Sequence, residues 1–292
     1  MTANGARLAR RPYGATGVEL SILGLGGVVV SGVEQDHAKR LVAEAVERGV
    51  NYFDVAPTYG NAEEILGPAL APYRRDVFLA CKTTERTRAG AQAELERSLA
   101  RLRTKHLDLY QLHALTDVAE DVDVAFGKGG ALETFIAARK AGQVRFLGFS
   151  AHSVAAALAA LARFDFDSIL FPVNFATYFA GNFGPQIMEK ACAQGVARLA
   201  LKALARQKWP EADAERPLHP KCWYQPIKDR RQAELALRFT LSQPVTAALP
   251  PGDEALFRLA LDLAPDFRAI TAAETAELKQ LAADLTPVFQ AS

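Results

Sequence analysis

Short apolar runs alternate along this chain with segments in which apolar residues recur at helical spacing. In the first pair, residues 22–27 are apolar or glycine, and residues 35–48 carry apolar side chains at positions 38, 41, 42, 45 and 46. This spacing predicts an amphipathic helix, and Gly49 directly after it provides a natural end. Residues 50–55 are rich in β-branched and aromatic side chains, which predicts a buried strand.

The same alternation continues to the end of the chain and predicts eight strand–helix units. The predicted strands cover residues 22–27, 50–55, 77–81, 107–112, 144–149, 168–173, 196–201 and 245–249. The predicted helices cover residues 35–48, 61–71, 90–103, 129–141, 153–162, 184–194, 229–242 and 253–263, and a last helix covers 271–284. Strands that alternate with helices pair in parallel through right-handed crossovers. Eight units in roughly 260 residues match the size of an α/β protein with a (β/α)8 TIM barrel.

An open, doubly wound sheet is the alternative architecture. Such a sheet would usually carry a G-x-G-x-x-G turn after its first strand to bind a dinucleotide. Residues 24–29 read GLGGVV and lack the third glycine of that motif. The barrel is therefore the predicted fold.

Three further features belong to the single barrel domain that we expect over residues 1–292. Residues 10–20 predict a short N-terminal β-hairpin, and the polar, basic start of the chain is expected to be frayed over residues 1–9. Two loops are unusually long, residues 114–128 after the fourth strand and residues 207–228 after the seventh. The second loop is rich in proline and aromatic residues, which predicts a semi-rigid cover over one face of the barrel.

Composition and charge argue against several classes of partner. The 292 residues include 34 lysines and arginines and 33 aspartates and glutamates, and the net charge of +1 gives no reason to expect nucleic acid or an acidic membrane. Cys81, Cys192 and Cys222 form no disulfide or metal motif, so we expect no metal and a cytoplasmic location. No apolar stretch approaches the ~20 residues of a membrane span. No heptad seam is visible, so a monomer is the default expectation.

Polar side chains follow three consecutive predicted strands, at the point where each strand ends. Asp54 lies at the end of the second strand with Tyr59 on the loop beyond it, Lys82 follows the third strand, and His113 follows the fourth. The carboxyl ends of barrel strands gather on one face, where such folds place their chemistry. These four titratable groups are therefore expected to share one pocket.

The chemistry of these four residues is coherent. A tyrosine phenol has an ordinary pKa of about 10 and becomes a useful acid when a nearby cation stabilises the phenolate. Lys82 would supply that charge, Asp54 would hold the lysine in place, and His113 would orient a substrate oxygen. The set includes no nucleophile with an adjacent base. It therefore favours proton transfer coupled to chemistry performed by another group, such as hydride transfer from a nicotinamide.

Residues 50–63, VNYFDVAPTYGNAE, closely resemble the signature of the aldo-keto reductases. Residues 109–113, LYQLH, and 142–150, GQVRFLGFS, also resemble segments of that family, and the resemblance runs from the hairpin to the last barrel strand. It implies a (β/α)8 barrel that uses NAD(P)H to reduce a small-molecule carbonyl substrate, an aldehyde or a ketone. It also implies that Tyr59 is the proton donor, that Lys82 and Asp54 tune it, and that His113 orients the substrate.

The resemblance implies a cofactor site at which this chain departs from the family pattern. The family usually has asparagine after the serine that ends the fifth strand, glutamine in the sixth strand and a stacking aromatic residue after the seventh. This chain has Ala151, Leu170 and Leu201 at those positions. The expected cofactor-binding residues are Gly26, Gly27, Asp54, Ser150, Asn174, Leu201, Lys202, Arg206 and Gly252. The expected substrate-binding residues are Val28, Tyr59, His113, Trp223 and Tyr224.

The phosphate groups of the cofactor, its pyrophosphate and a 2′-phosphate, lead to two further expectations. Lys202 and Arg206 are the expected partners of its pyrophosphate, because phosphate sites prefer lysine and arginine. A 2′-phosphate could lie at the helix start after the eighth strand, but Asp253 and Glu254 would repel it and Arg258 is the nearby cation. The family resemblance favours NADP(H), which we take as the expected cofactor, and the local charge leaves NAD(H) open.

The altered cofactor positions keep a second class of function open, a cofactor-binding regulatory protein with vestigial activity. Such a protein would bind its cofactor tightly with negligible turnover and would have a stable partner. A metal-free isomerase or dehydratase is a more distant third alternative. It would convert its substrate without a net change in nicotinamide absorbance.

Overall fold

The computed structural model describes residues 7–291 and contains the predicted barrel. Its eight strands are Leu25–Gly26, Tyr52–Asp54, Phe78–Thr83, Leu107–Leu115, Val144–Ala151, Ser168–Pro172, Ala197–Leu201 and Ala247–Leu249. Neighbouring strands pair in parallel and in chain order. The barrel closes where Leu23 forms an isolated parallel bridge with Ala248, and the Gly24 amide donates to the Ala248 carbonyl over 3.0 Å.

Every helix predicted from the apolar spacing is present, with its ends within two residues of the prediction. The helices that follow the strands are Gln35–Glu47, Ala62–Leu70, Arg88–Arg101, Ala131–Lys140, Val154–Arg163, Pro185–Ala193, Arg230–Ser242 and Glu254–Leu263, and Ala272–Ala283 is the last helix. Gln35–Glu47 buries Ala38, Leu41, Val42 and Ala45, as its spacing predicted. Each fully buried Leu or Val contributes roughly 1.5–3 kcal/mol of hydrophobic stabilisation.

Two strands differ by three residues from a predicted bound, and the other six differ by two residues or fewer. The first strand was predicted over residues 22–27, but its ladder covers only Leu25–Gly26 because Gly27–Val30 turn into a 3-10 helix. The fourth strand was predicted to end at residue 112 and continues to Leu115, with a shifted register after Leu112. Ala114 has a φ of 55° in this shifted stretch. The strand is therefore bulged where His113 leaves it.

The N-terminal hairpin closes the end of the barrel at which the strands begin. Arg10–Pro12 pairs antiparallel with Glu19–Ser21, as predicted. Tyr13 enters the barrel from the turn, where its hydroxyl donates to Ser168 Oγ over 2.7 Å and its ring lies 5.1 Å from that of Phe78. The open end of the barrel is consequently the end at which the strands terminate.

The expected frayed start falls mainly outside the described residues, which begin at residue 7. Leu8 lies within the range that was expected to fray and is buried. Its amide donates to the Arg48 carbonyl over 3.3 Å.

The two long loops contain secondary structure of their own. The loop after the fourth strand holds a π-helix, Val118–Asp123, and the loop after the seventh holds a small antiparallel ladder of Ala205–Gln207 with Gln225–Pro226. Lys221 Nζ donates to the Val29 carbonyl over 2.9 Å, which ties the second loop to the segment after the first strand. This loop therefore crosses the mouth of the barrel.

The described part of the chain contains no helix with the length and apolar character needed to cross a membrane. Residues 7–291 also contain no group of three or more histidine, cysteine, aspartate or glutamate side chains that could hold a metal ion. All three cysteines are free, with Cys81 and Cys222 buried and Cys192 exposed.

Candidate active site

The second and third strands bring Asp54 and Lys82 together under the barrel mouth. The two side chains are 2% and 1% exposed, and Lys82 Nζ donates to Asp54 Oδ1 in a short, buried ion pair. The same ammonium lies 3.3 Å from the Tyr59 hydroxyl and 3.4 Å from the Val55 carbonyl oxygen. One buried cation therefore contacts both the carboxylate and the phenol.

Burial and neighbouring charges shift the pKa values of Lys82 and Tyr59 in opposite directions. Burial lowers the pKa of Lys82, but the Asp54 carboxylate and the Tyr59 phenol raise it further, so the pKa lies above its ordinary value. Burial raises the pKa of Tyr59 more than the Lys82 charge lowers it. The Lys82 charge lowers the pKa of Tyr59 as expected from sequence, but burial raises that pKa by more. Near neutral pH the lysine is charged and the tyrosine keeps its proton.

His113 stands beside Tyr59 at the bulged end of the fourth strand. The two rings meet nearly at right angles, with centroids 5.7 Å apart and an interplanar angle of 86°. Arg86 donates to the His113 carbonyl over 2.7 Å, and Thr58 Oγ1 lies 3.5 Å from His113 Nδ1. Burial, followed by the charge of Lys82, lowers the pKa of His113 to about 2, so the imidazole is neutral.

Two buried residues that the sequence argument missed hold Asp54 in position. Gln111 Nε2 donates to Asp54 Oδ2 over 2.9 Å, and the Tyr52 hydroxyl donates to the same oxygen over 3.2 Å. Side chains two residues apart on a strand point to the same side. Gln111 precedes His113 by two residues, and Tyr52 precedes Asp54 by two. The two-residue spacing from a predicted site residue was the signal that could have identified Gln111 and Tyr52.

A cavity of about 490 Å3 opens above the ion pair. Nine of the residues expected from sequence line it: Gly26, Val28, Asp54, Tyr59, Leu201, Lys202, Trp223, Tyr224 and Gly252. Pro220 and Lys221, from the loop across the mouth, form part of its wall. The structure thus brings the first, second, seventh and eighth strand ends together with this loop.

Four other expected cofactor residues lie away from that cavity. Gly27 is packed so closely that a Cβ atom there would approach Val55 Cγ2 to 2.7 Å. Ser150 is buried, and its hydroxyl accepts from the Ala114 amide over 2.7 Å. Arg206 lines a separate cavity of about 290 Å3 beneath the long loop, so the structure does not bring it together with Lys202.

Asn174, the fourth of these residues, is fully buried. Its side-chain oxygen accepts from the Thr177 amide over 2.9 Å and caps the short helix Phe175–Phe179. Its side-chain nitrogen Nδ2 has no hydrogen-bond partner among the described residues. A buried amide that lacks a partner is costly, but this nitrogen does not line the cavity described above.

Lys202 follows the seventh strand in a left-handed conformation, with a φ of 62°. Its ammonium lies 5.2 Å from the ring centroid of Trp223 and 5.2 Å from that of Phe289. Burial and the charge of Lys82 lower the pKa of Lys202 to about 7. Nothing in the sequence around Phe289 indicated that the end of the chain reaches this site.

His152 stacks on Phe289 with ring centroids 4.7 Å apart. Burial and the Lys202 charge lower the pKa of His152 to about 3, and the pKa of His113 is also depressed, to about 2. Both rings resist protonation in the folded protein but take up protons below about pH 6.5 when unfolded. Their contribution to stability is therefore complete above pH 6.5 and is lost progressively as the pH falls towards 3.

We accordingly expect the free energy of unfolding to fall between pH 7 and pH 5.5, by on the order of 1 kcal/mol for each of the two histidines. Urea denaturation at several pH values measures this slope. His152→Gln should remove one histidine's share of it, while His106→Gln, a more exposed position, should change the slope much less. An identical slope in wild type and His152→Gln would contradict the assignment.

The fold is an α/β barrel, and the buried ion pair of Lys82 and Asp54 lies with Tyr59 at the mouth of that barrel. The chain belongs to the aldo/keto reductase family, because the sequence model of that family matches residues 22–282. This match confirms the resemblance seen in residues 50–63, and the family uses nicotinamide cofactors on carbonyl compounds.

Individual relatives agree with this assignment. The chain is 32% identical over 157 residues to the uncharacterised oxidoreductase YqkF of Bacillus subtilis, an alignment that covers 49% of each protein. It is 36% identical over 117 residues to the aldo-keto reductase YhdN of the same organism, covering 34% of this chain and 35% of the relative. The aligned region thus spans half or less of these relatives' length.

Among solved structures, the fold matches the holo form of aldo-keto reductase AKR11C1 from Bacillus halodurans. The TM-score is 0.73 at 24% identity, and the superposition covers 94% of this chain and 96% of that one. At this identity the likeness concerns the fold.

Proposed function

We propose that the protein reduces an aldehyde or a ketone to the alcohol, with Tyr59 as the proton donor. The observation that carries the proposal is the buried Lys82 ammonium, which contacts both the Asp54 carboxylate and the Tyr59 hydroxyl. A nicotinamide cofactor, when bound, supplies the hydride in such a reaction. The protein supplies the proton, the orientation and the electrostatic environment.

Each side chain has a separate task in this proposal. Tyr59 is protonated near neutral pH and lines the cavity, so its hydroxyl can donate to a carbonyl oxygen that gains negative charge. Lys82 then stabilises the phenolate left behind. His113 is neutral, and its ring N–H can donate a hydrogen bond to the same oxygen without competing for the proton.

The residues present fit a nicotinamide cofactor. Asn174 keeps an unpartnered amide nitrogen, but it is fully buried and lies away from the cavity, so it is not counted among the contacts with the cofactor. Leu201 offers an apolar surface in the cavity, and a Cβ added to Gly26 would meet no atom within 4 Å, which leaves room for a ligand.

The start of the helix Glu254–Leu263 is unfavourable for a 2′-phosphate. Arg258 forms ion pairs with Glu44 and, over 3.1 Å, with Glu254. The Asp253 side chain caps the helix by accepting from the Leu256 amide over 3.1 Å. The anion-binding capacity of this helix start is thus already used by the chain's own carboxylates. We therefore propose that NAD(H), which the sequence left as the alternative to NADP(H), is the preferred cofactor.

Fluorescence titration with NADH and NADPH, followed by a panel of aldehydes and ketones monitored by nicotinamide absorbance, tests the function. Binding followed by turnover is the expected result. Tight binding without turnover of any carbonyl compound, together with a stable protein partner in a pull-down, would favour the regulatory alternative. Failure to bind either cofactor would refute the proposal.

For cofactor choice, we expect the wild-type protein to bind NADH at least as tightly as NADPH. The double variant Glu44→Gln, Glu254→Gln frees Arg258 and should tighten NADPH binding roughly tenfold, the value of one charge-assisted hydrogen bond. NADH binding serves as the control and should not change. A wild-type protein that strongly prefers NADPH would contradict this part of the proposal.

A further inference from the structure

Lys202 is a buried cation that no acidic group in the described residues balances. The residue is 8% exposed. Its burial and the like charge of Lys82 both disfavour the ammonium form. Lys82, by contrast, is neutralised by Asp54. With its pKa lowered to about 7, Lys202 holds its proton only in part near neutral pH, and a bound anion would favour the charged form.

The position of Lys202 indicates what kind of partner this is. Its ammonium lies over the rings of Trp223 and Phe289, whose centroids are 5.9 Å apart. Its charge also depresses the pKa of His113, the histidine beside Tyr59. Lys202 and Tyr59 also line the same cavity. An anion bound at Lys202 would therefore share that cavity with the reacting group.

The surroundings of the cation add an apolar surface. Trp223 is 58% exposed although it lines the cavity, and Tyr224 packs beside it with ring centroids 5.5 Å apart. Exposed aromatic rings next to an unpaired cation suit a ligand with an apolar body and a negatively charged end.

We propose that the substrate is an oxo acid, a carbonyl compound whose carboxylate pairs with Lys202 while its apolar body contacts Trp223. This inference rests on the proposed reductase function and names the substrate class. The carbonyl carbon receives a hydride with its two electrons, which a reduced nicotinamide would supply and so become oxidised. The carbonyl oxygen receives the proton of Tyr59, and Tyr59 is reprotonated from solvent. The carboxylate is unchanged by the reaction and serves for binding.

The pyrophosphate of the cofactor is the competing partner for this cation, since phosphate groups also prefer lysine. The two assignments differ in what a change at Lys202 affects. Loss of a substrate contact raises KM for acidic substrates alone. Loss of a cofactor contact weakens cofactor binding and affects every substrate.

The experiment compares 2-, 3- and 4-carboxybenzaldehyde with their methyl esters as substrates of the wild-type protein and of Lys202→Met. Methionine removes the charge and keeps a long, flexible side chain. Lys208→Met removes a charge from an exposed position on the same loop and is the matched control. Cofactor dissociation constants are measured by fluorescence titration for all three proteins. Equilibrium binding of benzoate and of benzamide in the presence of the cofactor provides a readout that is independent of turnover.

We expect at least one carboxybenzaldehyde to have a kcat/KM roughly 10- to 100-fold above that of its ester, the range of a charge-assisted hydrogen bond. Lys202→Met should abolish this preference by raising KM for the acids, and its cofactor dissociation constant should stay close to that of Lys208→Met. Benzoate should bind to the wild-type protein and to Lys208→Met, but not to Lys202→Met.

Three results would overturn the inference: no preference for the acids, an equal loss for acids and esters in Lys202→Met, or weakened cofactor binding in that variant. Reduction of the esters without a preference for the acids would leave the reductase function intact and remove only the oxo-acid assignment. Absence of turnover with every aldehyde, combined with no benzoate binding, would refute both.

Discussion

Tyr59→Phe should lower kcat for carbonyl reduction by roughly 10²- to 10⁴-fold, the usual contribution of a positioned general acid. The variant removes the hydroxyl and keeps the ring that packs edge-on against His113. Lys82 loses its 3.3 Å contact with the phenol but keeps its ion pair with Asp54. The fold and the cofactor dissociation constant should therefore be unchanged. Steady-state kinetics measures kcat, and fluorescence titration measures the cofactor dissociation constant.

Tyr178→Phe provides the matched control, because Tyr178 lies on the short helix Phe175–Phe179 and packs against Phe239. This control should retain wild-type turnover. Turnover by Tyr59→Phe at the wild-type rate would remove Tyr59 from the reaction and leave Asp54, Lys82 and His113 with a structural role.

Lys82→Met should be the most destabilising change at the site, at roughly 3–5 kcal/mol of unfolding free energy. The substitution leaves the Asp54 carboxylate buried without its counter-charge. Gln111 and Tyr52 still donate to Asp54, but two neutral hydrogen bonds do not replace an ammonium. Turnover should also be lost, because no cation remains beside the Tyr59 phenol. Urea denaturation and steady-state kinetics measure the two effects.

The double variant Asp54→Asn, Lys82→Met separates stability from catalysis. It removes both charges of the pair, so most of the lost stability should return, since a buried pair can often be replaced by neutral groups at little cost. Turnover should remain absent. A single Lys82→Met variant as stable as the wild type would contradict a stabilising role for the buried ion pair of Lys82 and Asp54.

The barrel could be predicted from sequence because its signal is local. Each helix carries its own apolar stripe, and each strand carries its own apolar run, so the eight units are visible without knowledge of their packing. The strand ends then place Asp54, Tyr59, Lys82 and His113 on one face by topology alone. Irregular backbone was harder to predict from sequence. The 3-10 turn at Gly27–Val30 and the bulge after Leu112 depend on contacts between neighbouring strands.

The parts of the site that sequence reasoning missed depend on residues that are far apart in the chain. Phe289 reaches Lys202 from the end of the chain, and Arg258 pairs with Glu44, 214 positions away. Neither pairing has a local signal. The pKa of Tyr59 illustrates a further difficulty, because burial and Lys82 oppose each other and only the packed structure decides which is larger.

The bulge that carries His113 has a consequence for engineering this protein. Ala114 holds a φ of 55° there, a conformation that costs a non-glycine residue of order 1 kcal/mol. Glycine would relieve that cost, yet it would also loosen the segment that the Arg86 and Ser150 hydrogen bonds fix in place. Position 114 is therefore a site where selection for thermostability and selection for catalytic rate would pull in opposite directions.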